Sequence, residues 1–248
     1  MVKIMYKNII FLTLQVRIFI ILIAVTACQD STVESSCSNI TKLESQVAAK
    51  DKKVLITLAQ CYQDGIGVTK DLVKAVEYYQ KAADQNSAPA LYNLGIMYHN
   101  GEGVTKDLVK AVEYYQKAAD QNYAPAQNNL GLMYVTGHGV TKDLVKAVEY
   151  YQKAADQNEA SALHNLGLMY NDGIGVTKDL VKAVEYYQKA ADQNSAPAQN
   201  NLGIMYHNGI GVTKDLVKAV EYYQKAADQN FAPALYNLGL MYHNGIFM

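Results

Sequence analysis

The chain has no tryptophan, and among its 248 residues there is a single arginine, Arg17. Bidentate phosphate recognition leans on arginine, and nucleic-acid binders concentrate positive charge in a patch. Here 22 Lys and Arg face 23 Asp and Glu, a formal charge of −1, so nucleic acid is not an expected partner. Long apolar runs are missing too. The best candidate, Ile18 to Val25, falls short of the roughly 20 residues that cross a bilayer. No nucleophile stands at a recognisable motif spacing from a base, and no glycine-rich phosphate loop is present. Gly101-Glu102-Gly103 reads as a turn between helices. Capping and helix-face pairing account for carboxylates such as Asp107 and Glu113. Neither a catalytic group nor a cofactor is expected.

What the chain has instead is repetition. The line from Val68 to Asn86 recurs unchanged at Val104, Val140, Val176 and Val212, with successive starts 36 residues apart. A fixed period of this size marks a solenoid, whose units bury their apolar faces against one another. Within the repeated line Ala75, Tyr79, Ala82 and Ala83 share one helical face, while Lys74, Glu77 and Lys81 fall elsewhere. This stretch is helix B. Asp71 or Thr69 serves as its N-cap, Glu77 and Lys81 form an i,i+4 pair, and Asn86 suits a left-handed C-terminal cap. Pro89 is expected to stop it.

Helix A is expected from Ala88 to Asn100, with Ala90, Leu94, Met97 and Tyr98 on its apolar stripe. Gly95 interrupts that stripe, and Gly131, Gly167, Gly203 and Gly239 repeat it. A helix-interior glycine costs about 0.8–1 kcal/mol relative to alanine, so close approach of a neighbouring helix backbone is expected there. The pattern Ala90, Leu94-Gly95, Tyr98, Gly101, Gly103-Val104, Asp107, Lys110-Ala111, Tyr114-Tyr115 and Lys117-Ala118-Ala119 resembles the Sel1-like repeat, a relative of the tetratricopeptide repeat. It departs from that pattern in having Tyr-Tyr where Trp-Tyr is usual, and tyrosine keeps the bulk. The resemblance implies an all-α fold, a right-handed α-solenoid of tandem antiparallel helix pairs. Tyr79, Tyr98 and their equivalents are expected in the core, and Tyr78 and its equivalents over a groove or on an outer surface.

The N-terminus lies outside the solenoid. Lys3, Lys7 and Arg17 precede the short apolar run in the manner of a signal peptide. Val25-Thr26-Ala27-Cys28 resembles the bacterial lipobox, which implies lipidation at Cys28 and, with Gln29 following, the outer membrane, facing periplasm or surface. A plain secretory signal and an uncleaved anchor are the alternatives. Losing the signal leaves 19 basic against 23 acidic residues, a charge of −4. The expected organisation is therefore a signal peptide over 1–27, a lipidated tether and degenerate cap helix over 28–50, the solenoid over 51–245 as five helix pairs and a terminal helix A, and a tail over 246–248. Cys37 and Cys61 either pair as a disulfide or stay apart, with Cys61 a buried residue at the Met97 position.

Metal binding is not expected. His99, His207 and His243 share one unit position, but equivalent side chains on adjacent units lie on the order of 10 Å apart, far beyond ligand distances of about 2.0–2.3 Å. The columns that vary between units are Ser87, Tyr123, Glu159, Ser195 and Phe231; Leu91, Gln127, Leu163, Gln199 and Leu235; Tyr92, Asn128, His164, Asn200 and Tyr236; and His99, Val135, Asn171, His207 and His243.

Resemblance to tetratricopeptide repeats implies that helix A lines a concave surface for a protein or peptide partner. Tyr92, Asn93, His99, Asn128, Asn129, His164, Asn165, Asn200, Asn201, His207, Tyr236 and Asn237 are the expected contact residues. The constant column Asn93, Asn129, Asn165, Asn201 and Asn237 either grips a peptide backbone or bonds a neighbouring helix or turn. The last helix A, with Leu238, Met241 and Tyr242, is expected to show an uncapped face, which either meets a partner or a second copy or marks an array cut short. The function expected is an extracytoplasmic scaffold tied to the membrane only by lipid. The alternatives are a penicillin-hydrolysing or cell-wall-binding Sel1-like protein, whose relatives carry a cysteine pair per repeat that is missing here, and a eukaryotic secretory adaptor, which the sequon at Asn39 permits.

Overall fold

The computed structural model describes residues 37, 39–47, 51–243 and 245. The signal segment and Cys28 lie outside the described residues. Among those described there are twelve α-helices and no strand. We number them α1 (Ile40–Gln46), α2 (Lys52–Asp64), α3 (Leu72–Ala83), α4 (Ala88–Asn100), α5 (Leu108–Ala119), α6 (Ala124–Thr136), α7 (Leu144–Ala155), α8 (Ala160–Asp172), α9 (Leu180–Asp192), α10 (Ala196–Asn208), α11 (Leu216–Ala227) and α12 (Ala232–His243). They fall into two compact units, α1–α3 with residues 102–104, and α4–α12.

In the first unit Asn39 caps α1 and Asp51 caps α2, each accepting from a backbone N–H two or three residues on. The chain leaves α2 through Gly65 in the left-handed region, with φ of 75°, where a side chain would be strained. Two long-range ties hold α1 to α2: a disulfide joins Cys37 to Cys61, and the Tyr62 hydroxyl donates to Glu44 at 2.6 Å. That carboxylate bond, helped by burial, pushes the Tyr62 phenol up to about 12. The paired helices α2 and α3 bury Leu55, Leu58, Ala59, Ala75 and Tyr79.

In the second unit α4 to α11 form four antiparallel hairpins and α12 adds a further helix A. Each helix B starts at an aspartate: Asp107, Asp143 and Asp179 accept from two backbone N–H groups each, and Asp215 from one. A side-chain cap of this kind is worth about 1 kcal/mol. Each helix B ends through an asparagine with positive φ, between 58° and 63° across all five repeats. The prolines do not stop helix B, as the sequence suggested. Pro89, Pro125 and Pro197 sit in the first turn of the following helix A, where the absent N–H removes no helical bond.

The interior glycine also has a different reason from the one expected. What approaches is a side chain and not a backbone. A Cβ on Gly131 would lie 2.6 Å from Tyr151 ring atoms, and one on Gly203 would lie 2.5 Å from those of Tyr223. The rings of Tyr115, Tyr151, Tyr187 and Tyr223 therefore sit close against bare helix A backbone. The first unit shows the other solution: Ala59 occupies the glycine position, and the Tyr79 hydroxyl goes instead to Gln63 at 2.9 Å.

A candidate protein-binding face on helix A

Helix A turns three residues per unit towards the same side, at spacing i, i+3 and i+6. In the second unit these rows are Asn93, Ile96 and His99; Asn129, Leu132 and Val135; Asn165, Leu168 and Asn171; and Asn201, Ile204 and His207. All twelve are half-buried. On α12 the row is Asn237, Leu240 and His243, with the last two exposed. Every row thus offers an amide, an aliphatic side chain and one variable residue, carried on rigid helices rather than loops.

The constant asparagines form a ladder. Asn165 donates to Oδ1 of Asn128 at 2.9 Å, Asn237 donates to Oδ1 of Asn200 at 3.0 Å, and Asn201 meets Nε2 of His164 at 3.1 Å. Asn129 completes the series by bonding the hydroxyl of Tyr92. From Asn129 onward each asparagine therefore reaches back to the residue before the asparagine of the preceding repeat. One amide N–H per repeat is spent on holding neighbours in register, and what Asn165, Asn201 and Asn237 have left for a ligand is the carbonyl oxygen and the second N–H.

This arrangement corrects part of the expected contact set. His164 is 5% exposed and Asn200 3%, so neither can meet a partner. Tyr92 and Asn128 are half-buried in the same seam, and burial is the main reason the Tyr92 phenol rises to about 12, with Tyr123 and Glu159 adding to it. The adjoining variable column is seam as well. Leu91 and Leu163 are buried, and Gln127 and Gln199 are both 3% exposed. In place of apolar contact, Gln199 donates to Asn194 at 3.2 Å and accepts from Gln229 at 2.7 Å. Apolar and amide-bonded seams alternate along the array, and that alternation is what makes these columns vary. Tyr236 belongs to the same column but is 68% exposed.

Of the remaining expected residues, Asn93, Asn129, Asn165, Asn201 and Asn237 lie on the face with His99 and His207. His207 also places Nδ1 2.9 Å from the sulfur of Met241. At the head of α8, Glu159 takes the N-cap place by accepting from the Ala162 N–H. Burial raises its carboxyl above the ordinary value, against the lowering effect of the bonds from Ala162 and Ser161. Among the described residues no group of His, Cys, Asp and Glu has metal-binding geometry, and no helix is long and apolar enough to cross a membrane.

Sequence reasoning placed Tyr98 and its equivalents in the core; Tyr62 is buried there, but Tyr98, Tyr134, Tyr170 and Tyr206 are half-buried and Tyr242 is exposed. Tyr98 stacks on Tyr114 with centroids 5.4 Å apart, and Tyr134 on Tyr150 at 5.6 Å. Lys110 lies 5.3 Å over the Tyr98 ring and Lys117 lies 5.5 Å over Tyr114. The stacked rings leave no space between them for a lysine, so the two cations cover the outer ring faces. The second tyrosine also links repeats, since Tyr150 donates to Gln116 at 2.8 Å and Tyr222 to Gln188 at 2.6 Å. The i−4 and i+3 lysines flanking the Tyr-Tyr pair were the signal that could have revealed these columns.

Comparison with known proteins gives a consistent family. The Sel1 repeat model matches residues 57–87, 88–123, 124–159, 160–195, 196–231 and 232–248. A protective antigen of uropathogenic Escherichia coli strains with an SLR fold is 38% identical, with a TM-score of 0.78. The match covers 84% of this chain but only 44% of that one. A Sel1 repeat protein from Oxalobacter formigenes is 37% identical with a TM-score of 0.80, and the match covers 83% of this chain and 84% of that one. An immunity protein from Pseudomonas aeruginosa is 29% identical at a TM-score of 0.51, covering 71% of this chain and 67% of its own. No curated protein matches.

Proposed function

The chain belongs to the Sel1 repeat family, and from that premise we propose that it is a scaffold that binds a peptide segment of a protein partner on its helix A face and performs no chemistry. The Sel1 repeat fold is typical of protein–protein interaction scaffolds, and its members are generally non-catalytic. One observation carries the reading for this chain: the repeated row of amide, aliphatic and variable residue, pinned by the asparagine ladder. A surface fixed in advance loses little conformational freedom on binding. Amides match the donors and acceptors of a peptide backbone, while the third residue of each row changes from His99 to Val135 to Asn171 and can discriminate side chains.

The chain's own repeats supply the test. His, Val and Asn all occupy the third position, so it tolerates polar replacement without loss of fold. Random peptides displayed against the folded full chain should yield binders that lose affinity about tenfold or more for the triple variant Val135→Glu, Asn171→Glu and His207→Glu, with its circular dichroism unchanged. Selected peptides that bind the variant equally well would remove the helix A face from the proposal.

The proposal extends to location. The lipobox resemblance at Val25 to Cys28 supports a lipid-anchored protein of the bacterial envelope, on the outer membrane. Metabolic labelling with a palmitate analogue tests it: label lost in Cys28→Ser is expected, and an unlabelled, uncleaved wild-type chain would contradict it.

A further inference from the structure

In the first unit α1 stands where a helix B would precede α2. Glu44 lies one repeat length before Gln80, and it accepts the hydroxyl of Tyr62 much as Gln116 accepts that of Tyr150 and Gln188 that of Tyr222. The backbone agrees. A Cβ on Gly67 would strike the carbonyl oxygen of Cys37, just as one on Gly139 would strike that of Leu108 and one on Gly175 that of Leu144. The packing, however, is unlike that of a helix B. α5 buries Ala111, Tyr115, Ala118 and Ala119, whereas α1 is seven residues long and buries none of its own. What is buried is Cys37, just ahead of α1, at 1% exposure, and it is bonded to Cys61 at 0%. A covalent bond thus replaces the apolar seam.

We infer that α1 is a redox-released cap on α2, closed while Cys37 and Cys61 are joined and opened by a dithiol reductant. One thiolate of the reductant attacks a sulfur of the pair and displaces the other; its second thiol then resolves the mixed disulfide. The reductant leaves as its own disulfide, having passed two electrons and two protons to Cys37 and Cys61, which become thiols. Both cysteines are buried, so attack waits on fraying of α1. A seven-residue helix with no buried side chain frays readily. After reduction the long-range hydrogen bond described between α1 and α2 is the one from Tyr62 to Glu44, too little to order a short helix. α2 and α3 keep Leu55, Leu58, Ala59, Ala75 and Tyr79 buried between them and so stay folded. The cap alone is released. This inference depends neither on the helix A face nor on the lipid anchor proposed above.

The test uses the full chain carrying Cys28→Ser, in which the cysteines left to count are Cys37 and Cys61. Hydrogen exchange read by mass spectrometry compares the oxidised chain with the same chain under dithiothreitol, and alkylation counts two thiols when reduction is complete. Exchange across residues 40–46 should then quicken about a hundredfold, the order that closing a loop of this length is worth, while α2 and α3 keep their protection. Cys37→Ser should show the fast exchange with or without reductant. Tyr62→Phe should leave α1 protected as long as the disulfide is intact. Equal protection of α1 before and after complete reduction would overturn the inference, as would a disulfide that dithiothreitol leaves unbroken in the folded chain. Fast exchange of α1 in oxidised Tyr62→Phe would assign the cap to the hydrogen bond instead. Loss of protection in α2 and α3 together with α1 would overturn it as well, because the bond would then staple the whole unit.

Discussion

Alanine at the interior glycines should act in opposite directions depending on whether a helix B tyrosine sits above. Gly203 and Gly239 hold the same position on α10 and α12, so the helix-propensity gain, about 1 kcal/mol, is common to both. On Gly203 the new Cβ would lie 2.5 Å from two ring atoms of Tyr223, where ordinary contact begins at 3.4 Å. The ring must retreat by roughly 0.9 Å, yet it is 3% exposed and packed against Ala219, Ala226 and Ala227. Overpacking of this kind costs about 1–3 kcal/mol. The net expectation is a loss of about 0–2 kcal/mol for Gly203→Ala and a gain of about 1 kcal/mol for Gly239→Ala, so their difference isolates the overpacking cost. Ala59 in the first unit shows that a buried tyrosine, Tyr79, and a methyl at this position can coexist, so a real loss should also shift the ring. Urea unfolding followed at 222 nm reads the two midpoints, and m-values check that the unfolding unit is unchanged. Replacing Tyr223 by Leu should make Gly203→Ala far less costly in a double-mutant cycle. Equal stabilisation by both glycine changes would refute the seated-ring explanation.

Three further outcomes follow from the same contacts. Asn201→Ala should cost about 1 kcal/mol by removing its hydrogen bond to the buried His164, and exchange of backbone amides should quicken in α8 and α10 more than in α6. The raised Glu159 carboxyl binds its proton more tightly folded than unfolded; that stabilisation is complete below the ordinary value of 4.5 and is lost as pH rises through the folded value. The melting temperature of wild type relative to Glu159→Gln should therefore fall as the pH rises above 4.5, and a constant difference would contradict the burial. Tyr62, Tyr92 and Tyr223 are each pushed up to about 12, Tyr62 chiefly by its bond to Glu44 and the other two by burial. Phenolate absorbance at 295 nm should rise in two stages, the later one coinciding with loss of helicity because these raised values tie the proton to the fold.

Much of the fold was legible because each repeat carries its own punctuation. Asp107, Asn122 and Gly137 mark boundaries by local backbone chemistry that no distant residue overrides, and helix A was expected over the residues it occupies in α4. The site was less legible. Within near-identical repeats, variation at Tyr92, Asn128, His164 and Asn200 looks like release from packing and therefore like a recognition surface. The structure shows packing of two alternating kinds, which varies for the opposite reason. A seam between repeats is contributed by residues 30 or 37 apart, and no local pattern distinguishes a buried amide that bonds its neighbour from an exposed one awaiting a ligand. The seat of Tyr151 on Gly131 was half visible: glycine signalled close approach, but its partner was a side chain two helical turns into the next helix.

The central claim is that partners meet the helix A face and not the opposite one. A photo-crosslinking amino acid at Val135, half-buried on that face, should be compared with one at Val145, which is 59% exposed on helix B, in cells that produce the full chain. The account predicts a discrete protein adduct from position 135 that is absent from position 145. An adduct from position 145 alone, or the same adduct from both, would contradict it.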